Sequence, residues 1–179
     1  YTFIPDANQC ATNSSLFVEV YQNCSFGSYA SAVWLNNCAQ NNFFNTVGSG
    51  SSIIGPIENN FQNTHLGTYV TNSSTFKLRG GEVKTFKTST ANVCSARLNY
   101  RIYLQSTAPG AFSVINLPFF EDCSGGSFPS GGPCNIGDQK WQEVLNDTES
   151  PIDLTAYPAG NYVLEIYYDV TGDVDSTSS

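Results

Sequence analysis

From Arg97 to Leu104 apolar and polar side chains take turns, with Leu98, Tyr100, Ile102 and Leu104 on one parity and Arg97, Asn99, Arg101 and Tyr103 on the other. A period of two sends successive side chains to opposite faces of an extended chain, so this stretch predicts a half-buried strand. Asn161 to Val170 repeats the pattern, Tyr162, Leu164, Ile166 and Tyr168 alternating with Val163, Glu165, Tyr167 and Asp169 behind a Pro158-Ala159-Gly160 turn. Shorter runs with strand-forming side chains predict further strands at Leu16–Tyr21, Ala32–Leu35, Gly67–Val70, Thr75–Arg79, Val83–Lys87, Phe112–Asn116 and Lys140–Val144. Gly80-Gly81 lies between two of these runs and predicts a tight hairpin turn.

A long helix needs a dozen residues of good helix formers in a 3.6-residue period, and no stretch supplies one. Many short strands separated by Gly, Pro, Asn and Ser, without helices between them, predict an all-β fold, an antiparallel β-sandwich with disulfides. The expected layout is an N-terminal strand segment over 1–30 that belongs with the same domain, a sandwich domain over 31–170, and a polar linker or truncated tail over 171–179. The polar stretch from Ala39 to Thr64 reads either as a long surface excursion or as a region of short strands.

Composition narrows the setting. Lys and Arg total 7 against 15 Asp and Glu, a formal net charge of -8 that opposes phosphate backbones, so nucleic acid is not an expected partner. No apolar run reaches the roughly 20 residues that span a bilayer, and the first residues lack the charged flank and apolar core of a signal peptide. With no Met anywhere, the sequence fits a processed chain or an excised segment. Cys10, Cys24, Cys38, Cys94, Cys123 and Cys134 form an even set beside a single His, which favours disulfides over a metal centre and therefore an oxidising compartment. Cys123 and Cys134 flank a turn-rich segment whose ends meet easily and are paired first; Cys10 with Cys24 and Cys38 with Cys94 are the remaining expected pairs.

Candidate chemistry is sparse. His65 stands in Asn63-Thr64-His65-Leu66-Gly67 without a nucleophile elbow, and it reads as a loop histidine. Carboxylates that could serve a glycosidase pair (Glu82, Glu121, Asp122, Glu143, Glu149, Asp153, Glu165, Asp169) mostly sit beside turn residues, where solvation explains them. No catalytic residue and no cofactor is expected. Asp169, Asp173 and Asp175 are weak calcium candidates, since their spacing departs from an EF-hand loop; Asp6 with Asn8 is weaker. For sugar stacking the candidates are Trp141, then Tyr103 and Tyr167, which fall on the wetter parity of their strands, with Trp34 behind them. Asn13, Asn23, Asn72 and Asn146 head Asn-x-Ser/Thr acceptors.

Five segments together carry a resemblance: Leu66-Gly67-Thr68, Leu78 to Lys87, Leu98 to Tyr103, Gly137 to Trp141 and Gly160 to Tyr168, with Trp34-Leu35-Asn36-Asn37-Cys38 similar as well. In order and spacing they resemble a largely uncharacterised β-sandwich module of secreted and cell-surface proteins from Bacteroidota, flavobacteria especially, typically substrates of type IX secretion. The resemblance implies export and a part in long multidomain surface proteins, some adhesive or gliding-associated. It brings no catalytic or binding residue, and it implies further strands beyond Ser179. Asp175-Ser176-Thr177 resembles the O-glycosylation acceptor of that phylum.

Two functions follow as expectations. The first is a structural or adhesive surface module, contacting other surface protein chains through sheet faces or strand edges, as a homo-oligomer or filament among other forms. The alternative is a carbohydrate-binding module of a larger exported protein, stacking polysaccharide on Trp141 or on Tyr103 and Tyr167.

Overall fold

In a computed structural model of the protein, the described residues are 2–3, 14–15, 25–37, 40–47, 59–88, 90–146 and 148–173. Their strands are β1 (Thr2–Phe3), β2 (Ser14–Ser15), β3 (Phe26–Asn37), β4 (Gln40–Val47), β5 (Asn59–Asn60), β6 (Phe76–Lys87), β7 (Asn92–Leu104), β8 (Ser113–Leu117), β9 (Phe119–Asp122), β10 (Gly126–Ser127), β11 (Pro133–Cys134), β12 (Gln139–Val144) and β13 (Tyr162–Asp173). A single 3-10 turn at Leu154–Ala156, capped by the Asp153 carboxylate, is the helical content among the described residues. The all-β antiparallel class expected from the strand pattern is therefore the class observed.

Two sheets dominate. The larger has the order β5-β4-β3-β6-β12-β9 and the smaller the order β13-β7-β8, while β1-β2 and β10-β11 are two-residue ribbons. Pairing is antiparallel except for the short β4–β5 ladder. Val33, Leu35, Phe44, Leu78, Val83 and Trp141 of the larger sheet and Ala96, Leu98, Tyr100 and Leu117 of the smaller belong to one hydrophobic cluster, so the two sheets share a core. Each fully buried side chain of this kind, Leu98 for example, contributes about 1.5–3 kcal/mol through removal from water. Tyr168 ties the sheets together by donating its hydroxyl to the Ala32 carbonyl at 2.6 Å.

Gly80-Gly81 is not a hairpin turn. Both glycines lie inside β6, which runs unbroken through the centre of the larger sheet. A Cβ on Gly80 would stand 2.0 Å from the Glu143 carbonyl oxygen, and Gly80 holds φ at +120°. A Cβ on Gly81 would meet the Tyr168 hydroxyl at 2.2 Å and Leu98 at 2.6 Å. The pair thus admits the β12 backbone on one side and the facing sheet on the other.

Gly67–Val70 is irregular rather than a strand, and Leu16–Tyr21 lies outside the described residues. The polar stretch after Ala39 contributes β4 and β5, with 48–58 outside the description. β3 begins at Phe26 and crosses residues 30 and 31, while β13 continues to Asp173.

Candidate functional site

β13 is an end strand of the smaller sheet, paired along one side with β7 from Tyr162↔Leu104 to Asp173↔Asn92. Just before the strand, the Gln105 N–H donates to the Asn161 carbonyl, which makes Asn161–Gln105 a hydrogen-bonded pair. Such pairs alternate along an antiparallel ladder. Val163, Glu165, Tyr167 and Asp169 therefore direct their backbone groups toward β7, whereas Tyr162, Leu164, Ile166, Tyr168 and Val170 direct theirs to the other side. Among the described residues no backbone group pairs with that second side. The residues of this open edge are also those whose side chains point toward the core, and Leu164, Ile166, Tyr168 and Val170 are only partly buried there.

A half-open groove of about 1130 Å³ runs beside this edge. One wall is Tyr162 to Tyr167 with Tyr157, and the other is the irregular chain from Phe61 to Tyr69. That loop is braced by a Tyr69 hydroxyl bond to the Leu66 carbonyl at 2.6 Å and an edge-on Tyr69–Phe76 contact. His65 is an exposed residue on the groove wall, and Glu165 is the carboxylate among its described lining residues.

The opposite face of the smaller sheet holds Tyr103 and Tyr167, as their parity predicts. Tyr103 stands across from Val163 and Tyr167 across from Asn99, so the Arg101–Glu165 pair separates them. Arg101 meets Glu165 at 2.5 Å, donates to the Gly110 carbonyl at 3.0 Å, and lies 4.1 Å over the Phe112 ring. The Tyr103 hydroxyl donates to Glu165 at 2.6 Å. That hydrogen bond, with the Arg101 guanidinium, holds the Glu165 carboxyl below its ordinary pKa. Tyr167, 45% exposed, packs edge-on against Phe112. A second cross-strand ion pair, Arg97–Asp169 at 2.8 Å, continues the row, and Asn99 also donates to Asp169. Asp169 is thus an ion-pair partner, and no metal-holding group of acidic, His or Cys side chains forms among the described residues. Asp173 is partly buried at the end of β13, while Asp175, Asp6 and Asn8 lie outside the described residues.

Trp141 is not presented for stacking. It pairs with Val83 on the core side of the larger sheet, packs edge-on against Phe119, and donates its indole N–H to Thr85. Trp34 stacks on Phe43 with the Arg79 guanidinium 4.9 Å from its ring.

The other face of the larger sheet hides a set of charges that sequence reasoning missed. Glu82, Lys84 and Lys140 are completely buried, aligned by the pairs Lys140↔Lys84 and Gln142↔Glu82. Lys140 meets Glu121 of β9 at 2.6 Å and donates to Ser130 and to the Gly131 carbonyl. Burial would raise the Glu121 carboxyl, but the hydrogen bonds from Lys140 and Ser130 prevail and lower it. Phe128 lies between the lysines, its ring 4.6 Å from the Lys140 ammonium and 5.2 Å from that of Lys84. Glu82 has no hydrogen-bond partner for either carboxyl oxygen among the described residues. Burial pushes its carboxyl up to about 9, against the pull of Lys140 and Lys84, and burial also lowers the Lys84 ammonium.

Phe128 and Ser130 belong to the loop closed by the Cys123–Cys134 disulfide, the pairing expected from their spacing. The bridge spans a sequence separation of 11, and a closed loop of that size stabilises by roughly 2–3 kcal/mol through the unfolded chain. Replacing both cysteines by Ser is expected to lower unfolding free energy by that amount in a denaturant titration. An unchanged midpoint would show that the loop stays clamped without its bridge.

Cys94 carries a free, exposed thiol in β7, so the expected Cys38–Cys94 bridge is absent; Cys38, Cys10 and Cys24 lie outside the described residues. Asn72 and Asn146 are exposed, whereas Asn13, Asn23 and the Asp175-Ser176-Thr177 acceptor lie outside. No helix among the described residues is long and apolar enough to cross a membrane. Compared with known protein families, curated proteins and solved structures, the chain matches none.

Proposed function

We propose that this chain is a structural or adhesive module of an exported, cell-surface protein, and that it contacts other protein chains along the free edge of β13. The observation that carries the reading is the row of outward backbone groups at Tyr162, Leu164, Ile166, Tyr168 and Val170, beside half-buried apolar side chains and an open groove. Unpaired strand edges recruit further strands, and added strands gain backbone hydrogen bonds together with side-chain pockets. The Cys123–Cys134 disulfide supports an oxidising setting outside the cytoplasm. Site-specific photo-crosslinking in the cells that make the protein tests the reading. A photoreactive residue in place of Tyr167 is expected to yield adducts with a second extracellular polypeptide, and the same residue in place of Val114 on β8 is not. Adducts confined to the same polypeptide, or equal yields from both positions, would contradict it.

Carbohydrate binding is the second reading, favoured by the shared face of Tyr103 and Tyr167. Sugar hydroxyls need polar partners, yet the Arg101 and Tyr103 donors on this face are already directed at Glu165 and the Gly110 carbonyl. On this reading glycan binding disappears in Tyr167→Ala and survives in Trp141→Ala, because Trp141 is in the core. A glycan array without hits removes it.

A further inference from the structure

We propose that the partner seated along β13 is an extended segment of a different polypeptide, with Lys or Arg four residues apart on one face and apolar side chains on the other. This rests on the reading of β13 as a contact edge and adds the chemistry of its occupant.

The charge pattern of the outer face supplies the argument. β7 places Arg97 and Arg101 in one row, four residues apart, and β13 places Asp169 and Glu165 directly opposite them. Cations and anions therefore alternate from strand to strand, and the next strand beyond β13 meets a row of carboxylates. Directly opposed unlike charges stabilise neighbouring strands and like charges destabilise them. The two carboxylate side chains remain 33% and 35% exposed, so each can accept from a further donor beside its arginine and the Asn99 or Tyr103 donor it already holds. On the opposite face an added strand covers the partly buried Leu164 and Ile166, which asks for apolar residues there. Only an extended backbone satisfies the outward amides and carbonyls between those two rows.

A second copy of the chain does not fit this description. The end strands of the two large sheets read NN in β5, FFED in β9, SVINL in β8 and YVLEIYYDVTGD in β13, with no Lys or Arg in any of them. Two copies, each with a formal charge of -8, also repel at long range.

The probe is a labelled Thr-Val-Lys-Val-Thr-Val-Lys-Val peptide titrated into the whole chain by fluorescence anisotropy. A version with Glu for Lys and a version N-methylated at alternate amides run beside it. The Lys peptide is expected to bind, with hydrogen-exchange protection gained at Leu164, Ile166 and Tyr168. The Glu peptide should bind weaker by on the order of tenfold, and the combination Glu165→Gln with Asp169→Asn should erase the difference between them. Equal affinity for Lys and Glu peptides, with β13 protected, would overturn the charge rule while leaving the edge reading intact. No binding by any peptide, unimpaired binding of the N-methylated one, or binding without β13 protection would overturn the edge reading and this proposal with it. Concentration-dependent self-association that protects the same amides would identify a second copy as the occupant and overturn the proposal.

Discussion

Gly80→Ala is expected to unfold the protein or to cost it more than any other single methyl group. The new Cβ would stand 2.0 Å from the Glu143 carbonyl oxygen, a backbone atom of the paired β12 strand, at a residue whose φ of +120° suits glycine alone. Neither neighbour can yield without breaking the β6–β12 ladder at the middle of the larger sheet. Backbone strain and overpacking each carry a cost of about 1–3 kcal/mol, and here they coincide. Gly81→Ala drives its methyl into the Tyr168 hydroxyl and Leu98, which are side chains with some freedom, so its cost should be smaller. Guanidinium titration of both variants checks the order. A Gly80→Ala midpoint equal to that of the native chain would mean that β6 does not pair closely with β12 at Gly80 as described.

Glu82→Gln is expected to do the reverse and stabilise the protein, increasingly so as pH rises. Glu82 titrates near 4.5 when solvated and near 9 when folded. Between those values the folded state holds a proton that the unfolded state has released, so stability falls as pH increases through the window and levels off above it. At neutral pH this amounts to a penalty of a few kcal/mol, to order of magnitude. Gln keeps the shape and removes the titration. Lys84 acts with the opposite sign, because its lowered pKa makes the cost of burial greatest at low pH and relieves it as pH approaches 10.5. Unfolding free energies of the native chain and Glu82→Gln should therefore agree near pH 4 and diverge steadily toward pH 9. Parallel curves across that range would mean that Glu82 is solvated or firmly paired.

The all-β class was legible because alternation over Leu98 to Leu104 and Tyr162 to Tyr168 is a local property that survives into the pairing of β7 with β13. Cys123 and Cys134 were legible for a similar reason, a short turn-rich spacing that closes on itself. What defeated sequence reasoning was nonlocal. A Gly-Gly step between apolar runs looks the same whether the chain turns there or another strand crosses there, and only Glu143, Tyr168 and Leu98 decide it. Lys140 and Gln142 left Trp141 readable as either buried or presented, because polar neighbours ordinarily face water; here a disulfide-closed loop covers Lys140 instead. Tyr103 and Tyr167 were placed on the correct face by parity, but the Arg101–Glu165 pair between them depends on strand register. The open edge of β13 is likewise nonlocal, because it depends on which strands pair and not on the alternation within one of them.

Amide hydrogen exchange resolved by NMR on the isolated chain bears most directly on that edge. Along β7, flanked by β13 and β8 over Ala96 to Tyr100, protection should be continuous. Along β13 it should alternate, with Val163, Glu165, Tyr167 and Asp169 slow and Leu164, Ile166, Tyr168 and Val170 fast. Uniform protection through Tyr162 to Val170 would mean that the edge is already covered, and contact through β13 would have to be abandoned.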